Sequence, residues 1–178
     1  MSLVHHKIAS ANTESEPGND DEISCTELDS HADSPVVGRY SSVLEDTGRK
    51  PTVTIFTREL GEPMTVMVVT AAVAYDCEYT GKTFISVIYS ALYFQNMGTN
   101  LVPPIRMHLS GLDVDESPKL MSGKPTEKNR SVYFLMSDIR LPLQLEGKIS
   151  YIPTRRPLKV ELKESEGEYM LLTPNTPG

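Results

Sequence analysis

A mostly β fold is the class this sequence predicts, and three observations carry it. Thirteen prolines and eleven glycines cut the 178 residues into short pieces, which favours strands and turns over long helices. The stretch Thr52-Val53-Thr54-Ile55-Phe56 alternates polar and apolar residues, the period-two pattern of a half-buried strand. Two longer runs, Val66 to Tyr75 and Thr83 to Phe94, flank the turn Asp76 to Lys82, which carries Gly81. They read as a hairpin whose connection exceeds the tight two-residue kind.

The other elements follow in chain order. Residues 1–22 are rich in Ser, Asn, Glu and Asp with little to bury, and are expected to form a disordered acidic leader. The domain itself is expected over 23–152. Asn100 to Leu112 suits a short helix, which Pro103 and Pro104 confine to the residues after them. Ser117 to Arg130 is polar, holds two prolines and reads as an exposed loop. Ser131 to Met136, Ile139 to Leu145 and Gly147 to Ile152 are strand candidates. From Pro153 the chain turns polar again, so 153–178 is expected to be a C-terminal tail or linker.

Charge and apolar content narrow the function classes. A net charge of −7 argues against general nucleic-acid binding, which needs clustered Lys and Arg. The basic group Arg155, Arg156 and Lys159 reads as a solvated loop. Val66 to Tyr75 is about ten residues long, too short to span a bilayer, and Met1 to Lys7 lacks the apolar stretch of a signal peptide. No membrane partner is therefore expected. Two cysteines, Cys25 and Cys77, cannot build a disulfide framework, so a reducing, cytoplasmic setting is the expectation. Neither has a His beside it in sequence, and both read as small buried residues.

The stretch that carries chemistry is Glu27-Leu28-Asp29-Ser30-His31-Ala32-Asp33. It resembles the active-site strand and loop of retropepsins, in which an apolar residue is followed by Asp, Ser or Thr, Gly, Ala and often Asp. Leu28-Asp29-Ser30 and Ala32-Asp33 match, and His31 stands where the family has Gly. Ser90-Ala91-Leu92-Tyr93-Phe94, then Asn100-Leu101-Val102, then Gly111-Leu112 are similar in kind and order to the protease segment of copia-type LTR-retrotransposon polyproteins. Leu141 to Pro153 resembles that segment's final strands. The resemblance spans roughly residues 25–157 and implies a retropepsin-like, partly closed β barrel with one short helix.

It also implies a mechanism. Two carboxyl groups about 3 Å apart cannot both ionise, so they share a proton and divide the acid and base roles. A chain with one motif supplies one Asp, and a two-fold homodimer supplies the second. The implied dyad is Asp29 from each subunit, acting on a polypeptide substrate, the element polyprotein, with neither metal nor cofactor. Ser30 would hydrogen-bond across the dimer, and Ala32 with Asp33 would line the substrate cleft. The covering flap is expected within Phe56 to Val69, near Gly61-Glu62-Pro63, with the hairpin around Asp76 to Gly81 as competitor.

Other readings of the same residues stay open. A Cβ at position 31 crowds a close backbone approach that Gly permits, so a catalytically dead, domesticated or truncated copy acting as an interaction module or persisting as a gene remnant is the alternative. Were Leu28 to Ser34 a regular strand, Asp29, His31 and Asp33 would share one face and could ligate a metal. Asp29 could also simply cap a turn. A second Asp-Thr-Gly, Asp46-Thr47-Gly48, is followed by Arg49-Lys50-Pro51 rather than a small residue and reads as a turn into the Thr52 strand.

Overall fold

The computed structural model describes residues 24–54, 63–117, 126 and 128–175. The leader over residues 1–22, Ile23, most of the Ser117 to Arg130 loop and residues 56–62 of the expected flap lie outside the described residues. The strands are β1 Ser24–Leu28, β2 Val36–Val37, β3 Ser42–Asp46, β4 Thr52–Val53, β5 Met64–Thr65, β6 Met67–Asp76 and β7 Thr83–Tyr93. They continue as β8 Thr99–Val102, helix α1 Pro104–Leu109, β9 Leu112–Asp115, β10 Ser131–Phe134, β11 Ile139–Pro142 and β12 Gln144–Glu146. Strand β13 Ile149–Thr154, helix α2 Lys159–Glu164 and β14 Met170–Leu171 complete the chain.

Strands β6 and β7 form the expected hairpin, paired from Met67 with Tyr93 to Asp76 with Thr83. Strand β6 is buried from Val68 to Tyr75 because both its faces are covered, which is why it reads as a continuous apolar run. Val69, Ala71, Val73 and Tyr75 enter the main core with Ile88, Met107, Val132 and Ile152. On the other face, Val68 packs with Val36, Val53 and Leu101, while Ala72 and Ala74 pack with Ile85 beneath Leu162 and Tyr169.

Among the described residues the main sheet has nine strands, in the order β12-β13-β1-β8-β2-β7-β6-β3, with β14 beside β7. It curls until Ala74 and Arg155 exchange two backbone hydrogen bonds of 2.9 Å, one isolated bridge between the end of β6 and the residue after β13. One bridge is not a ladder, so the sheet is curled and does not close into a barrel. Strands β11-β10-β9 form a smaller antiparallel sheet, and β4 pairs with β5 at the base of the expected flap. No described helix is long and apolar enough to cross a membrane.

The helix expected within Asn100 to Leu112 is present, starting at Pro104 after the extended Pro103, while the residues before it join β8. Two expectations are corrected. The described residues contain two short helices rather than one. Of the stretch expected as a tail or linker, Pro153 and Thr154 end β13 and Met170–Leu171 form β14 in the main sheet. Leu172 and Thr173 are buried, and β14 runs parallel to β7. The Thr173 hydroxyl accepts from the Tyr89 N–H (2.7 Å) and donates to the Tyr89 carbonyl (3.2 Å). It thereby satisfies backbone groups that a bulge at Ser90, in the left-handed region at φ 54°, takes out of the ladder.

Arg155, expected in a solvated loop, instead clamps this segment in place. Its guanidinium donates to Asp76 at 2.6 and 2.9 Å and to Glu161 at 2.6 and 2.9 Å. The Arg155 hydrogen bonds hold both carboxyls below the usual carboxylate range. Depressed carboxyl pKa values stabilise above the unfolded range near pH 4, and that stability fades as pH falls through the folded values. Arg155→Met should therefore cost about 1–2 kcal/mol at pH 7, discounted for Asp76 being half exposed. In urea unfolding the deficit should shrink as both carboxyls protonate below pH about 4.

Candidate active site

The Asp29 loop is built by β1 and its two neighbours. Along β1, Ser24, Thr26 and Leu28 are buried, while Cys25 and Glu27 are half-buried. One edge of β1 pairs antiparallel with β13 and the other parallel with β8, in register Leu28 with Val102. The Asp29 N–H extends that second ladder by donating to the Val102 carbonyl at 3.2 Å. There the chain turns. The Asp29 carbonyl accepts from Ala32 N–H at 3.3 Å, and Asp29 Oδ1 accepts from His31 N–H at 2.9 Å. The turn-capping role open to Asp29 from sequence is thus realised by one carboxylate oxygen.

After the turn the chain enters β2, which pairs antiparallel with β8 at Val36 and Leu101 and parallel with β7. Strand β8 therefore lies between the strand that enters the loop and the strand that leaves it. The loop must cross over the end of β8, where Pro103 and Pro104 start α1. At the exit, a Cβ built on Gly38 would lie 2.1 Å from the Met97 carbonyl oxygen. Only glycine fits that approach, in which Arg39 N–H donates to the same carbonyl at 2.9 Å.

All four residues expected at the site, Asp29, Ser30, Ala32 and Asp33, lie in this one loop. The Asp29 side chain is 18% exposed and that of His31 is 88% exposed, with Nδ1 3.7 Å from Asp29 Oδ1. Ser30 and Asp33 are exposed, whereas Ala32 is buried within the single chain. Ser30 Oγ stands 3.5 Å from His31 Nδ1. Residues 30 and 31 are turn and 33 and 34 are bend, so the strand alternation that would put Asp29, His31 and Asp33 on one face does not arise. Among the described residues no three His, Cys, Asp or Glu side chains gather as a metal site.

Asp46-Thr47-Gly48 forms the turn expected of it. Gly48 adopts φ 74° and donates its N–H to Asp46 Oδ1 at 2.9 Å. The local hydrogen bond copies that of Asp29, but the setting differs. Asp46 ends β3, the outer strand of the sheet, whose Val43 and Leu44 are exposed.

Like charges surround the entry to the Asp29 loop. Burial pushes the Glu27 carboxyl above its ordinary range, and Asp29 and Glu146 push it the same way. Burial, then Glu27, raises the Cys25 thiol to about 11, so Cys25 is a neutral thiol near pH 7. Hydrogen bonding from Thr80 lowers the Cys77 thiol in the β6–β7 turn. Both cysteines are half-buried rather than fully buried.

Sequence reasoning passed over Asn100, Thr26, Thr154 and Gly38 as parts of the site. An Asn before Leu101-Val102 and a Gly after Val36-Val37 were visible in the chain, but their meeting depends on strands distant in sequence. Comparison with known proteins returns no match: no protein-family model, no curated protein and no solved structure is significantly similar to the chain.

Two variants test this geometry. Gly38→Ala should destabilise by about 3 kcal/mol through the Met97 clash. Gly48→Ala, with open space around it, should cost about 1 kcal/mol from backbone strain alone. Because the Glu27 pKa is raised, the folded state holds its proton more tightly, and stability is lost as pH rises above the unfolded value of about 4.3. Glu27→Gln should then be more stable than the parent at pH 7, with the difference vanishing below pH about 4.

Proposed function

We propose that this chain is an aspartic endopeptidase domain that works as a homodimer. Within that class, the reading the residues support best is a retropepsin-like protease of a copia-type LTR-retrotransposon polyprotein. Its substrate is the element's own polypeptide.

One observation carries the proposal: a partly shielded carboxylate at the tip of a stiff turn, held at the carboxyl ends of two parallel strands. The turn fixes Asp29 through its own backbone, and a two-fold axis through the loop would set two such carboxyls opposite each other. The pair would share one proton, one Asp29 drawing a proton from water as the other donates to the scissile carbonyl oxygen. Ser30, exposed beside it, would hydrogen-bond to the second subunit. Asp33 would border the cleft with the buried Ala32 behind it, and the paired β4 and β5 would support the covering flap.

His31 favours the second reading. Its side chain is 88% exposed, and a ring at this position would crowd the close approach of a second loop that glycine permits. If that ring blocks approach, the domain folds without cutting and serves as an interaction module or gene remnant.

Incubation of the purified chain with unfolded proteins from pH 4 to 7, read by mass spectrometry, separates the two. The protease reading expects Asp29→Asn to lower cleavage by about 10³-fold or more while Asp46→Asn leaves it intact. A dimeric parent chain that cuts nothing at any pH would remove the enzyme claim.

A further inference from the structure

The loop that carries Asp29 has two limbs, and one buried side chain ties them together. Asn100, on β8, is 0% exposed. Its Oδ1 accepts from the Gly38 N–H at 2.9 Å, and its Nδ2 donates to Thr26 Oγ1 at 3.5 Å. The orientation of the amide follows from its partners, since a backbone N–H can only donate and must meet the oxygen. Thr26 Oγ1 lies 2.8 Å from Thr154 Oγ1, and Ser24 Oγ donates to the Thr154 carbonyl at 2.9 Å. A single carboxamide thus links the strand that enters the loop, at Thr26, to the backbone that leaves it, at Gly38.

We propose that Asn100 is a positioning residue for Asp29, setting the span of the loop between Thr26 and Gly38. The activity arm of this proposal rests on the protease reading, and the structural arm does not. Strand β2 ends at Val37, and beyond it Gly38 has the Asn100 oxygen for its buried N–H. A buried N–H left without a partner is costly, so loss of the oxygen forces the exit limb to move. Between the pins, Asp29 N–H on Val102 holds the entry limb and Ala32 N–H on Asp29 closes the turn toward the exit limb. In a dyad the two carboxyls must meet within hydrogen-bond reach, and a misplacement of about 1 Å is enough to cost about 10²-fold in rate.

The residue types suit this role. Aspartate would keep the acceptor for Gly38 but lose the donor for Thr26, and leucine would lose both. At position 26, serine keeps the hydroxyl that valine removes at equal shape.

The test uses the full chain with Asn100→Ala, Thr26→Val and Thr26→Ser. Amide hydrogen exchange followed by nuclear magnetic resonance is the first readout. Asn100→Ala should speed exchange at His31, Ala32 and Gly38 by about tenfold beyond any change at Val73 in the β6–β7 hairpin. Thr26→Val should show the same pattern more weakly, and it stands in should Asn100→Ala fail to fold. Thr26→Ser should match the parent. The second readout is peptide cleavage, where Asn100→Ala should lower kcat by about 10²-fold with KM little changed, and Thr26→Ser should keep the parental kcat. Uniform acceleration of exchange across loop and hairpin, or a parental kcat in Asn100→Ala, overturns the proposal. If the parent chain cuts nothing, the protease reading fails, and the exchange pattern alone decides the role of Asn100.

Discussion

Strand β8 is only four residues long, yet its insertion between β1 and β2 is the constraint on which the rest of the molecule depends. Its parallel ladder with β1 runs from Cys25 and Thr99 to Leu28 and Val102, and Asp29 N–H adds one bond beyond it. Its other edge meets Val36 of β2. Val102 belongs to the main core and Leu101 to the second cluster, so alternate residues join two apolar cores across one strand. Each such burial is worth about 1.5–3 kcal/mol. The same insertion forces the β1–β2 connection over the end of β8 and stands Asp29 at its crest.

The curl of the sheet is maintained at the opposite side by the C-terminal segment. Ala74 and Arg155 bridge their backbones, and the Arg155 guanidinium then gathers Asp76 and Glu161. Leu162 and Tyr169 cover the small residues Ala72 and Ala74, and Thr173 fills the hydrogen-bonding needs of the β7 bulge. Small residues on that face of β6 leave room for a covering layer, and α2 with its flanks provides it. The last strand and helix are therefore as much part of the fold as the central hairpin.

What was legible in the chain was local. The β6–β7 hairpin announces itself through two long apolar runs and a glycine-bearing turn, and Pro103-Pro104 marks the start of α1. The Asp29 turn was legible as well, because Asp followed by Ser is a residue pair that caps turns. Pairings between distant segments were not. The buried Asn100 has no local pattern that reveals Thr26 as its neighbour, since β1 and β8 meet in parallel across more than seventy intervening residues. Helix α2 is polar and half exposed, so its sequence resembles a tail, and only the Arg155 clamp and the alanines of β6 explain why it docks. The barrel expected from family resemblance stops at one bridge for a comparable reason, as no strand pattern announces where a curled sheet ends.

These features converge on one mechanistic requirement. The turn presents the partly shielded Asp29 carboxylate beside the exposed Asp33 and His31, and the proposed chemistry requires a second Asp29 from another copy of the chain. Direct titration of the purified chain with a peptide analogue that carries a hydroxyl in place of the scissile carbonyl tests that requirement. A shared dyad predicts one analogue bound for every two chains, with binding abolished by Asp29→Asn. Binding of one analogue per chain, or binding indifferent to Asp29, would contradict it.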